Sequence, residues 1–164
     1  MPLMRLRDHG RYDYSPLPER AQFEWPGGKR LAFYICNNIE VFSFGEGIGS
    51  DSAIVGAPQT SRNYAWRDYG NRVGQWYVFD LLDDLGLPAA GNVNSLVFER
   101  CPQLAERMVA RGDEFVGHGR TNAERQDALD EAEERALIAE SRDAIRRHTG
   151  TAPRGWMGPW LAHS

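Results

Sequence analysis

The sequence predicts an α/β domain built on a parallel sheet. Three observations carry this. Short apolar runs alternate with longer segments of helical spacing, in the order strand, helix, strand, helix, strand, helix, strand. Gly86, Gly112 and Gly150 close the three helical segments. Polar side chains gather just after the apolar runs, where parallel α/β folds keep their active sites.

The elements follow in order. Residues 1–28 are rich in Pro, Gly, Arg and aromatics without a sustained period. They read as an extended N-terminal arm pinned by its aromatic side chains, ending in the turn Pro26-Gly27-Gly28. Leu31 to Cys36 is an apolar run expected to form a strand buried on both faces. A long loop is expected from about Val41 to Asp68, containing Gly45, Gly47, Gly49, Gly56 and Pro58. A helix starts near Asn71, through Val73, Trp76, Phe79 and Leu82, and Pro88 prevents it from resuming. Ala89 to Val97 is the second strand. Pro102 opens the second helix, through Leu104, Met108 and Val109. Glu114 to Gly117 is a third, very short strand.

Asp130 and Glu133 have capping-box spacing and open the clearest helix, about Glu131 to His148. Its face is Leu137, Ile138, Ser141, Ala144, Ile145 and His148. Arg146, Arg147 and His148 suit the negative end of its dipole. Arg154 to Leu161 is the fourth strand candidate.

Composition excludes several classes. The 164 residues are 41% apolar and 26% charged, which is a globular balance rather than a disordered one. No apolar run reaches the ~18 residues of a membrane span. The residues after Met1 carry charge without an apolar stretch, so no secretory signal is read. A net charge of −4 argues against a nucleic-acid partner. Cys36 and Cys101 form no CxxC pair, which fits a reducing compartment, and cytoplasmic is the expected location.

Four segments fall at strand ends: Asn37 to Glu40, Asn92 to Ser95, His118 to Asn122 and Gly158 to His163. Glu40 reads as a base or a ligand. His118 lies between Gly117 and Gly119, which would let the chain turn and leave the imidazole accessible. Asn122 would share its side if the segment coils helically. A carboxylate and an imidazole at neighbouring strand ends can handle a proton on water or on a leaving amine. Phe42, Phe44, Tyr64, Trp66 and Tyr69 either line a pocket or pack a loop on the sheet. Cys36 reads as a small buried apolar residue, and His9, His148 and His163 as ordinary histidines.

Four stretches resemble one known family: Asn37 to Gly45, Asn63 to Gly74, Gly117 to Asn122 and Arg154 to Pro159. In this order they resemble the polysaccharide deacetylase (NodB-type) superfamily, most closely its allantoinase-like branch, from about Arg11 onward. The resemblance implies a distorted seven-stranded (β/α) barrel. This chain would supply part of it, with about four parallel strands alternating with helices. It also implies hydrolysis of a non-peptide carbon–nitrogen bond, with one aspartate as base. A second aspartate and two histidines would hold a divalent metal, usually zinc.

Carried over by position, Asn38 and Glu40 stand where the paired aspartates are expected. His118 matches the first histidine, Asn122 replaces the second, and Arg154 matches the arginine of the last motif. Glu40, His118 and Arg154 are thus the catalytic candidates, and Asn38, Asn122 and Trp156 the substrate-binding ones. Zinc, if held, would take Glu40, His118 and Asn122. An amide is a poor zinc ligand, so the metal site reads as degraded and no cofactor is expected.

Further strands and a late general-acid histidine follow in the superfamily, and His163 sits in no such motif. Residues 29–164 are therefore expected to be the N-terminal part of a barrel, truncated at its C-terminus. The expected function is hydrolysis of an amide or cyclic ureide. One alternative is an inactive fragment that acts by association, as a homo-oligomer through an exposed sheet edge. The other is a metal-dependent deacetylase of N-acetyl amino sugars. Neither a membrane nor a nucleic-acid partner is expected.

Overall fold

A computed structural model describes residues 10–47 and 59–162. His9, Gly49, Gly56, Pro58 and His163 lie outside the described residues. The chain divides into two units, residues 1–33 and 34–164.

In the first unit the backbone is turned twice by short 3₁₀ segments, Leu17–Glu19 and Pro26–Gly28. Each carries a proline in its first two positions, Pro18 and Pro26, where the fixed φ suits the first turn. Arg20 donates to the Ser15 carbonyl at 2.6 and 2.9 Å. Phe23 and Trp25 meet edge to face at 5.3 Å, while Tyr12, Tyr14 and Phe23 remain exposed.

The second unit is a three-stranded parallel sheet with helices between the strands. Strand β1 is Cys36–Ile39, β2 is Ala90–Val93 and β3 is Glu114–Gly117, in the order β1-β2-β3. The register sets Asn38 beside Asn92 and Asn92 beside Val116. Period two then separates two faces. On one face Ile39, Val93 and Phe115 are buried against Phe79, Leu104, Met108 and Ile145 from the helices. The other face carries Asn38 and Asn92. The strands are thus apolar on one side only, and not on both as the first apolar run suggests. That run also shifts: Leu31, Phe33 and Tyr34 are exposed. Pairing starts where the Ile35 carbonyl accepts from the Ala90 amide at 2.9 Å.

Helices begin earlier than their apolar spacing indicates. Helix α1, Ser61–Tyr69, falls within the stretch expected to be loop. The Thr60 hydroxyl caps it, accepting from the Asn63 amide at 3.2 Å. It buries none of its residues, so no apolar stripe signals it. It runs through a π-helical segment, Gly70–Gly74, into α2, Gln75–Asp84. In the π segment the Gln75 amide reaches the Gly70 carbonyl, five residues back.

The second strand is shorter than its apolar run, and Val97–Arg100 forms a short helix, α3. Helix α4, Pro102–Arg111, buries Leu104, Ala105 and Met108 and ends at Gly112 with φ 77°. Helix α5, Glu131–Thr149, starts with the full capping box. Glu133 donates its amide to Asp130 at 2.9 Å, and the Asp130 amide donates to Glu133 Oε2 at 3.0 Å. It buries Leu137, Ser141, Ala144 and Ile145, while His148 stacks on Phe98 at 4.6 Å.

The fourth strand candidate contributes one parallel bridge, Gly117 to Trp156, before a 3₁₀ turn at Pro159–Leu161. Pro159 lacks the amide hydrogen that a longer ladder would need.

Candidate active site

The same period that buries Ile39, Val93 and Phe115 sends positions 38 and 40, 92 and 94, and 116 and 118 to the opposite face. Just past the strand ends this row is Glu40, Asn94 and His118. Glu40 and His118 are 78 residues apart in sequence and meet at 3.3 Å, Oε1 to Nε2. The two parallel ladders bring them together.

The Gly-His-Gly segment works differently from its sequence reading. The imidazole is not accessible, because His118 is only 3% exposed. The glycines admit neighbours instead. A Cβ on Gly117 would sit 2.6 Å from the Trp156 ring, and one on Gly119 would sit 2.8 Å from Pro159. Gly119 also has φ 67°, a left-handed conformation that favours glycine. His118 Nδ1 lies 2.6 Å from the Met157 carbonyl. A carbonyl only accepts, so Nδ1 carries a hydrogen and Nε2 is the ring atom that can exchange a proton with Glu40.

Asn94 holds this geometry and was not among the candidates read from sequence. It is fully buried. Its oxygen accepts from the Val41 amide at 2.9 Å, and its nitrogen donates to the His118 carbonyl and to Asn122 Oδ1, the latter at 3.0 Å. One amide thereby ties the exits of all three strands. Asn122 meets the site through Asn94, with no helical coil between 118 and 122. Its own carbonyl accepts from the Trp160 indole at 2.8 Å. The sequence signal for Asn94 was its place at a strand end. Asn71 is a second such residue. Its amide donates to the Glu40 carbonyl at 2.7 Å from the π segment, and it lies in one of the stretches that carry the resemblance.

The other candidates fall around this pair. Asn38 is exposed in β1 and accepts from Asn92 at 2.9 Å. Asn92 also approaches Met157 Sδ at 3.3 Å, and its own oxygen is buried without a partner among the described residues. Trp156 packs on Gly117 and donates its indole hydrogen to Gln126 at 3.2 Å. Arg154 is exposed, and among the described residues no hydrogen bond or ion pair involves it.

Beside Glu40 opens a cavity of about 740 Å³. Phe42, Phe44 and Tyr64 line it, which resolves their two readings in favour of a pocket, whereas Trp66 and Tyr69 are exposed outside it. Tyr64 donates to the Phe42 carbonyl at 3.2 Å. Cys101 also lines the cavity, but burial pushes its thiol up, and the Asp68 carboxylate adds to this. That disfavours a thiolate nucleophile. Glu40 lines the cavity and His118 does not, so the imidazole stands behind the carboxylate.

The residues expected to hold zinc do not form a zinc set. Asn122 Oδ1 is occupied by Asn94, and His118 Nδ1 by a carbonyl. Among the described residues no three His, Cys, Asp or Glu side chains cluster as a metal site would need.

Comparison with known proteins agrees with the fold. The family model for polysaccharide deacetylase matches residues 64–164. The crystal structure of Puue allantoinase superposes with a TM-score of 0.68 at 23% identity, covering 88% of this chain and 53% of that one. A probable polysaccharide deacetylase from Pseudomonas aeruginosa PAO1 superposes with a TM-score of 0.65 at 26% identity, covering 80% of this chain and 48% of that one. The chain thus spans about half the length of these solved relatives. No curated protein gives a significant match.

Proposed function

Since the chain belongs to the polysaccharide deacetylase family, we propose that it hydrolyses a non-peptide carbon–nitrogen bond in an amide or cyclic ureide, with Glu40 as the base that activates water. The observation that supports this is the Glu40–His118 contact at the carboxyl ends of β1 and β3, with Glu40 facing the cavity.

Water bound against Glu40 gives up a proton to the carboxylate as its oxygen attacks the carbonyl carbon. The proton then passes to the nitrogen as the carbon–nitrogen bond breaks, leaving an acid and an amine or amide. His118 does not reach the cavity. It acts as a positioning residue, held by the Met157 carbonyl, and exchanges a proton with Glu40 through Nε2. Asn94 and Asn71 hold the backbone on either side of the pair. Asn38, exposed on the same face, is assigned to substrate hydrogen bonding. Asn122 supports the pair through Asn94, and Trp156 supports it by packing under Gly117. Arg154 is exposed, free among the described residues to meet substrate at the last motif.

The test is hydrolysis of allantoin and of N-acetylglucosamine by wild type, Glu40→Gln and His118→Ala. Glu40→Gln should lose activity by about a hundredfold to ten-thousandfold with its fold intact. His118→Gln should change the shape of the pH–rate profile, where a merely packing residue would only scale it. Wild-type rates in His118→Ala would sink the pair as the proton-handling unit.

A further inference from the structure

We propose that the ligand of this cavity carries a carboxylate, bound by Arg67 and Arg100, in addition to the amide or ureide carbon presented to Glu40. The proposal rests on the hydrolase reading for that second group and goes beyond it in naming the substrate class: small N-acyl or N-carbamoyl acids rather than neutral amides.

The chain as a whole is negative, at −4, yet the cavity wall carries three arginines, Arg67, Arg72 and Arg100, against two carboxylates, Glu40 and Asp68. Asp68 is taken, because it pairs with Arg72 one helical turn away. Glu40 faces His118. Among the described residues, neither Arg67 nor Arg100 has a carboxylate within ion-pair distance. Arg100 alone would be an ordinary solvated side chain. Arg67 is different. It is half-buried, and its guanidinium lies 4.3 Å over the Phe42 ring. That contact orients the guanidinium without satisfying its five donors.

A planar fork held in this way suits a carboxylate, which it can grip through two parallel hydrogen bonds. The wall carries one more arginine than carboxylates, a formal excess that a single carboxylate balances. Phe44, Tyr64 and Leu104 give the rest of the wall an apolar surface for the body of the ligand.

The test is binding, measured by calorimetry on the full chain at low salt. N-acetylglycine and N-acetylglycinamide have the same shape and differ by one charge. N-acetylglycine should bind at least about tenfold more tightly. Arg67→Gln should abolish the preference and Arg100→Gln should weaken it. Arg67→Lys keeps the charge without the fork and should retain part of it, which controls for folding.

Equal affinity for the two probes, binding of neither, or a preference that survives Arg67→Gln would each overturn the proposal. Hydrolysis of N-acetylglycine by the wild type, measured beside its binding, separates this from the hydrolase reading. A preference kept without hydrolysis in the wild type leaves the carboxylate site standing and sinks the catalysis. Hydrolysis without the preference does the reverse.

Discussion

Cys36 and Cys101 show how position changes a side chain whose sequence context is plain. Burial raises both thiols, and Asp68 further raises Cys101. A raised thiol holds less thiolate at a given pH, and thiolate is the reacting form. Both cysteines should therefore react with a thiol reagent at pH 8 more slowly than glutathione does. The lag should close in urea, where the burial is lost. Native rates equal to glutathione would contradict the burial. At this scale the apolar run that ends at Cys36 marks it as a small apolar residue, but it is only partly buried. The role of Asn94 carries no such mark. Its value lies in three partners at positions 41, 118 and 122, and no local pattern announces such a set.

At the scale of elements, Arg111 at the end of α4 carries the clearest energetic prediction. Its side chain is 4% exposed, and it pairs with Asp83 and, at 3.0 Å, with Asp113. It also donates to the Phe79 and Leu87 carbonyls at 3.2 and 3.1 Å. The guanidinium thus pins α2 and the chain leaving it to α4. Removing one partner of a buried pair strands the other charge, at a cost of about 3 kcal/mol. Arg111→Ala should lower unfolding free energy by that amount in a urea titration, and a change below about 1 kcal/mol would mean the pair is solvated.

Elements were legible where packing and local chemistry agree. Helix α5 has its box, its stripe and its terminal glycine, so its start is found to the residue. Helix α1 lacks a buried face, so only the cap at Thr60 marks it. The π segment has no sequence period of its own, yet it delivers Asn71 to the Glu40 carbonyl.

For the whole molecule, the sheet has an outer edge. Among the described residues β1 pairs only with β2, and Tyr34 just before it is 82% exposed. Unpaired strand edges invite pairing with another chain. Light scattering should show a mass that rises with concentration, and a constant monomer mass across a hundredfold dilution would rule the edge out as a contact. The structure aligns with about half the length of its solved relatives, and no helix among the described residues is long and apolar enough to cross a membrane.

The α/β class, the three parallel strands, the principal helices between them and the family resemblance followed from sequence alone, because alternation, caps and terminal glycines act over a few residues; α1, α3 and the loss of the fourth strand did not. The placing of Glu40 and His118 at strand ends, where a parallel sheet collects its polar side chains, also came from sequence. Only the tertiary structure decided that the imidazole is buried behind the carboxylate and that Asn94 locks the three strand exits. It also decided that Arg67 and Arg100 face one cavity with Glu40. Those facts depend on register between strands 54 and 24 residues apart, and on which way a helix turns its polar face. Neither is encoded in any stretch short enough to read by period.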